Sequence, residues 1–262
     1  MRNYFAIVSK ELYGFFVSPI AYAVLGVFFA VSGYFFFGIT TSFIERVQQM
    51  GLQSQQFGSA PPPVDVFSVI MNSFFSIIST IFLFLMPLIT MGVFAEEKKR
   101  GTVELLFTSP LTHLQLILGK FTAVMVFLLV MLVPTILNMC LLYFYSDPLP
   151  ALTPVLNGFL GAFLLGGSLL SLGIFASSLT ESQIVAGILS FGFFLILWVV
   201  DWMAGTGSTL GNEVLRYLSI MNHYEDFTRG VLDTSHVFFY LSLIFMGLFL
   251  TSVSLNSPKW RS

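Results

Sequence analysis

Residues 66–95 read VFSVIMNSFFSIISTIFLFLMPLITMGVFA, a run of 30 without Asp, Glu, Lys or Arg, and Glu96-Glu97-Lys98-Lys99-Arg100 follow it directly. A helix needs about 20 apolar residues to cross a bilayer, so this run is one membrane-spanning helix that ends on a charged aqueous edge. The pattern repeats on both sides. Charge-free stretches cover 12–44, 121–146, 148–180, 182–200 and 234–258, each long enough for one crossing and none comfortable for two. Only 9% of the 262 residues are charged against 56% hydrophobic, whereas soluble domains carry about 25% charged residues. The chain is therefore all-α and polytopic. Its six spans fall at about 20–40, 72–94, 121–145, 155–179, 183–200 and 236–255.

Six spans put both termini on one side, and Lys and Arg decide which side. Arg2, Lys10, Lys98, Lys99, Arg100, Lys120, Lys259 and Arg261 share the side of the termini, against Arg46, Arg216 and Arg229 opposite. Eight against three places the termini in the cytoplasm. The net charge of −2, with no basic cluster beyond Lys98-Lys99-Arg100, argues against nucleic-acid binding. Cys140 is the single cysteine and lies mid-span, so neither an intrachain disulfide nor a cysteine metal site is available.

Ahead of the first span, Phe5, Val8, Leu12 and Phe15 recur at helical spacing. This is the pattern of an amphipathic helix over 1–18, lying in the membrane interface and stopped near Ser18-Pro19. Residues 41–66 are rich in Gln, Ser, Gly and Pro and read as a flexible outer loop. In span four, Gly158, Ala162 and Gly166 repeat every fourth residue, with Gly167 and Ser171 one position on. Such a stripe permits close helix approach, as a packing seam within the chain, a homodimer face or the wall of a path.

Several chemistries are missing. Every Asp, Glu, Lys and Arg falls at a membrane edge or in a loop, which disfavours ion-coupled transport. The one Gly-Lys pair, Gly119-Lys120, is followed by Phe121 and preceded by Leu114 where a phosphate-binding loop needs its first glycine. No hydrolase constellation is present. The nearest cluster is Asn222-His223-Tyr224-Glu225-Asp226 with Asp233 and His236, but on one helix His223, Glu225 and Asp226 point to different faces. A hydrogen-bonded surface helix is the simpler reading of it than a metal site.

The most informative loop is 95–120. Five charges close span two, Gly101 breaks the helix, and a short apolar stretch, 103–107, runs to Ser109-Pro110. Thr112 with Gln115 three residues on fits a capping box that restarts a helix into span three. A helix of six or seven residues with an apolar face does not persist alone in water, so this one needs a partner or a membrane surface.

Glu96-Glu97…Arg100-Gly101-Thr102-Val103-Glu104-Leu105-Leu106…Ser109-Pro110…Gly119-Lys120 resembles the signature loop of ABC-2 type permeases, the membrane subunits of ATP-binding-cassette exporters. A second stretch, Ser219…Asn222-His223…Phe227-x-Arg229-Gly230-Val231-x-Asp233, is similar to the subgroup with the nitrous-oxide-reductase maturation and gliding-motility permeases. The resemblance implies a single transmembrane domain over 1–262 in the cytoplasmic (inner) membrane. It implies an ATPase-coupling site at Glu96, Glu97, Arg100, Gly101, Thr102, Val103, Glu104, Leu105, Leu106 and Pro110, with 102–108 as the coupling helix. It also implies an outer motif at His223, Phe227, Arg229, Gly230 and Asp233, within re-entrant outer helices over 201–233. Spans two and five would face a partner protomer. The implied partners are two copies of a cytoplasmic ABC ATPase, which would bind ATP and Mg while this chain binds no cofactor, and a second permease copy, as homodimer or similar permease. The implied function is export of a substrate driven by that ATPase. The alternative is an ATPase-driven scaffold that transmits movement to an extracytoplasmic protein and transports nothing.

Overall fold

The computed structural model describes residues 2–57, 65–102, 112–147, 149–203 and 217–256. Every regular element among the described residues is a helix. In chain order they are α1 (Arg2–Val17), α2 (Pro19–Phe57), α3 (Val66–Thr90), α4 (Ala95–Lys99) and α5 (His113–Phe144), then α6 (Leu152–Ser178), α7 (Gln183–Met203), α8 (Ile220–Thr228) and α9 (Thr234–Leu255). Six of them are long and apolar enough to cross a membrane: α2, α3 continued through α4, α5, α6, α7 and α9.

α6 is the hub of the bundle. Its apolar window is 78% buried, against 22% for α2, 17% for α7 and 22% for α9. The small residues along it explain why. A Cβ on Gly158 would lie 2.5 Å from Phe75 of α3, and one on Gly166 would lie 2.7 Å from Leu128 of α5. Ala162 between them is fully buried. Of the three uses that the stripe allowed, the described chain shows packing against its own helices.

Ser18 separates α1 from α2, and Pro19 takes the first helical position of α2, where its missing N–H costs nothing. α1 lies along α5; of the four apolar residues that the spacing marked, Val8, Leu12 and Phe15 are half-buried and Phe5 faces outward. The residues turned inward are Ile7, Glu11 and Phe15, with Tyr4 donating or accepting a 2.6 Å bond with Thr122, whereas Phe5 is 64% exposed. Phe15 stacks on Phe127 of α5 at 5.4 Å between centroids. The wheel reading misplaced Phe5 and left out Ile7 because α1 has apolar residues on two sides. One packs on protein, and Phe5, Tyr13 and Val17 face outward.

The expected flexible loop at 41–66 is instead helical as far as Phe57. Phe28 stacks on Phe82 and Phe36 meets Phe74 edge-on. That antiparallel register sets the first residue of α3 level with Ile44 of α2, so about 20 Å of helix continues past it. Residues 45–57 form no helix from a coil nucleus. They extend one already nucleated in the membrane, and Glu, Arg, Gln, Met and Leu propagate a helix well. Composition judged the segment as if it stood alone. Residues 58–64 lie outside the described set.

Candidate functional site

The chain leaves α3 at Thr90, turns through Met91–Phe94 and re-enters a helix at Ala95. A break inside a bundle exposes backbone groups that must find partners. Here other helices supply them. The hydroxyl of Ser177 on α6 accepts from the Phe94 and Ala95 amides at 3.0 and 3.1 Å and donates to the Met91 carbonyl at 3.0 Å. Lys120 of α5 donates to the Val93 carbonyl at 2.9 Å. Lys98 of α4 in turn donates to the Ser178 carbonyl. The sequence placed span two unbroken to residue 94, and nothing in its hydropathy marks this turn.

Lys120 is 2% exposed and is the centre of an ionic cluster. Besides donating to Val93, its ammonium forms ion pairs with Glu97 of α4 at 3.0 Å and Glu11 of α1 at 3.2 Å. The Phe94 ring lies 5.2 Å away and adds its face. Lys10 closes the cluster from the rim, 3.4 Å from Glu11 and 3.5 Å from Glu97. Burial alone would lower the Lys10 ammonium, but Glu11 and Glu97 outweigh it and hold it above the usual lysine range. Gly119 makes the arrangement possible. A Cβ there would sit 2.8 Å from Ile7, so α1 cannot approach α5 closely enough over a larger residue. A cavity of about 820 Å³ opens beside the cluster, with Glu97 and Lys120 on one wall and Val24, Ile89 and Phe127 on another.

α4 ends in a Schellman motif. Gly101 takes φ +66°, its amide bonds to the Lys98 carbonyl and the Thr102 amide to the Glu97 carbonyl, both at 3.0 Å. Arg100 pairs with Glu96 one turn back on the outer side. Of the coupling residues read from the sequence, Glu96, Glu97, Arg100, Gly101 and Thr102 are thus gathered at one helix end. Val103, Glu104, Leu105, Leu106 and Pro110 lie outside the described residues. The chain resumes where the capping box placed it: Thr112 accepts from the Gln115 amide and Gln115 from the Thr112 amide, each at 3.3 Å.

The opposite end carries the second motif. Gly230 takes φ +81° and closes α8 with the same device, its amide on Phe227 and that of Val231 on Asp226. Gly101 and Gly230, one from each motif, are the two residues with positive φ among those described. Asn157 of α6 donates to the Gly230 carbonyl at 2.7 Å, and Phe227 is fully buried against Gly161. Asp233 caps α9 by accepting from the Ser235 amide at 2.9 Å. Arg229 pairs with Glu225 on the surface at 2.5 Å. His223 bonds not to its helix neighbours but to His236 and Tyr217. Among the described residues no three His, Cys, Asp or Glu are placed to hold a metal ion. Of the 201–233 segment, α8 is described as a short helix, and 204–216 lie outside the described set.

Sequence reasoning gave Lys120 only as part of a motif and missed Glu11 and Ser177 altogether. The available signal for Glu11 was its spacing, four residues after Ile7 and four before Phe15, which places it with them on the inward face of α1.

Six apolar helices packed into one bundle with α6 at its centre, and with ionic groups at the two ends, define a multi-pass helical membrane protein. The profile of the ABC-2 family transporter proteins matches residues 5–255, and the chain belongs to that family. The family is a membrane transport component rather than a catalytic subunit, and membership implies association with an ABC ATPase. No curated protein gives a significant match to the chain.

Proposed function

We propose that the chain is the permease subunit of an ABC-2 type exporter of the cytoplasmic (inner) membrane, with both termini in the cytoplasm. Two copies, or one copy and a similar permease, pair and recruit two ATPase subunits, which bind the ATP and Mg. The observation that carries this reading is the position of the ionic cluster. Glu97 and Lys120 tie α1, α4 and α5 together immediately before the segment 102–108, which with its residues Val103, Glu104, Leu105 and Leu106 is the coupling helix in this proposal. Docked in the ATPase, that segment moves with it as a rigid body. The break at Met91–Phe94 then passes the movement to α3, while Ser177 and Lys120 carry it to α6 and α5. Glu96 and Arg100, paired on the outer side of α4, meet the ATPase surface.

The subgroup of the maturation and motility permeases is part of the proposal. It is supported by the work that His223, Phe227, Gly230 and Asp233 do in fastening α8 to α6 and α9. One feature favours the second reading, a scaffold that moves an extracytoplasmic partner: the helical extension of α2 past the start of α3.

The test is isolation of the tagged chain from its native membrane, followed by ATPase measurement on the complex with and without Glu104→Lys. The expected result is a stoichiometric ATPase subunit whose hydrolysis rate is modulated by the permease and uncoupled by the substitution, with insertion unchanged. Absence of an ATPase, or unchanged coupling in the variant, overturns the proposal. A stoichiometric protein from the opposite face turns it toward the scaffold.

A further inference from the structure

At the end of the bundle opposite α1, His223 of α8 and His236 of α9 meet ring to ring, with their Nδ1 atoms 2.6 Å apart. Both outer nitrogens end on oxygen. Nε2 of His223 lies 2.9 Å from the Tyr217 carbonyl, and Nε2 of His236 lies 2.8 Å from Oδ2 of Asp226. The partners fix the hydrogens. A backbone carbonyl only accepts, so Nε2 of His223 carries an N–H. Asp226, 39% exposed, accepts as a carboxylate, so Nε2 of His236 carries one too. Between the two Nδ1 atoms there is room for one hydrogen. With none, two lone pairs face each other; with two, a pair of N–H groups collides. The four ring nitrogens therefore hold three hydrogens, one more than two neutral imidazoles carry.

We propose that His223 and His236 form a binding site for a single proton, shared between their Nδ1 atoms and balanced by the Asp226 carboxylate, and that this proton fastens α8 to α9. The surroundings suit such a site. His223 is 4% exposed and stacks on Phe239 at 4.0 Å, with Tyr217 edge-on at 5.6 Å. Phe227 flanks His236 at 6.1 Å. In this aromatic box an unbalanced charge is costly and a shared, paired one is not. Burial holds His223 below the usual histidine range, against the Tyr217 carbonyl that favours its charged form. His223 is accordingly the acceptor, and His236, next to Asp226, bears the charge.

The other ionisable groups nearby do not supply a competing partner. Asp233 acts on both rings from the α9 N-cap, with the sign that favours the charge. Glu225 and Arg229 pair with each other. The hydroxyls of Tyr224 and Tyr240 donate to the Phe75 and Ile220 carbonyls. α8 also packs on α3, α6 and α7. α3 and α6 contain no ionisable side chain, and α7 brings Asp201, whose side chain is outside the described set.

Two limbs follow. Loss of the shared proton at higher pH breaks the Nδ1–Nδ1 bond. At low pH a second proton must enter His223. Because the folded pKa of His223 lies below its ordinary 6.5, its contribution is full above that value and is lost as the pH falls beneath it.

The test uses the full chain in lipid nanodiscs with ¹⁵N-labelled histidine rings, carrying His113→Gln so that only His223 and His236 report. Near pH 7 the expected spectrum has three protonated ring nitrogens and one bare, with scalar coupling between the two Nδ1 atoms. Hydrogen exchange of 220–236 is expected to be slowest there and to quicken roughly 10- to 100-fold on either side, the range for loss of one charge-assisted bond. His236→Gln flattens that profile. Two bare nitrogens throughout pH 5–8, or exchange that does not vary with pH in the parent chain, overturns the proposal. The nitrogen count is read on intact rings, so it decides the matter even if the His236 variant fails to fold.

Discussion

Lys120→Met isolates what the ionic cluster contributes, because methionine fills nearly the same volume and removes only the charge and its donors. In the native chain the Lys120 ammonium meets Glu97 at 3.0 Å, Glu11 at 3.2 Å and the Val93 carbonyl at 2.9 Å. Without it the two carboxylates share Lys10, which is 64% exposed and farther away, and Val93 loses its partner. Breaking a buried ion pair from one side costs about 3–5 kcal/mol, against about 0–1 for an exposed pair. The carboxylate side chains are 17% and 16% exposed, so water relieves part of the loss and the lower end applies. About 3 kcal/mol corresponds to roughly 100-fold in the equilibrium that frees α1 from α5. Hydrogen exchange of residues 2–17 in nanodiscs reads this directly, and exchange should quicken by about that factor while α6 is unaffected. Adding Glu97→Gln removes the stranded charge and should recover at least about tenfold. If α1 protection in Lys120→Met stays within about threefold of the parent, Lys120 is an ordinary solvated lysine and the cluster does not hold α1.

Gly119→Ala places a methyl 2.8 Å from Ile7 and should weaken α1 docking by about 1–3 kcal/mol, with Ile7→Ala in the same chain restoring it; α1 exchange checks both. Ser177→Ala strips the helix break of three hydrogen bonds, so exchange at 91–95 should quicken by an amount equal to about 1–3 kcal/mol, and an unchanged rate would show that the break supports itself. Asp65 caps α3, and the Ser68 hydroxyl and amide hold its carboxyl below the usual 3.8. A depressed carboxylate stabilises above its unfolded pKa and loses that contribution as the pH falls through the folded value. Protection of the first turn of α3 should therefore hold at neutral pH and drop below about pH 4, whereas Asp65→Ala, costing about 1 kcal/mol, should show no such step.

Span number and approximate position were legible because a bilayer imposes a length on apolar runs that does not depend on packing. The Thr112–Gln115 box and the Gly101 stop were legible for a related reason: they are local, set by neighbours three or four residues away. What escaped was non-local. Lys120 and Glu11 are 109 positions apart in sequence and meet only because Gly119 lets α1 lie across α5. Residues 91–94 look like the tail of an apolar span, and their turn exists because Ser177 and Lys120 supply partners from two other helices. His223 and His236 were noticed as a cluster, but a wheel drawn for one helix cannot show that they belong to two.

α2 runs from Pro19 to Phe57 with no internal proline, and its last 13 residues continue beyond the level where α3 begins. At 1.5 Å per residue it is about 58 Å long, close to twice the thickness of the hydrocarbon layer. Such a rod magnifies angle into distance. A tilt of about 10° around its Pro19 end displaces the Phe57 end sideways by roughly 10 Å, while the residues level with α3's middle shift by less than half as much. Small rocking at the foot of α2, where α1 and the ionic cluster lie, is thereby converted into a wide sweep at its far tip.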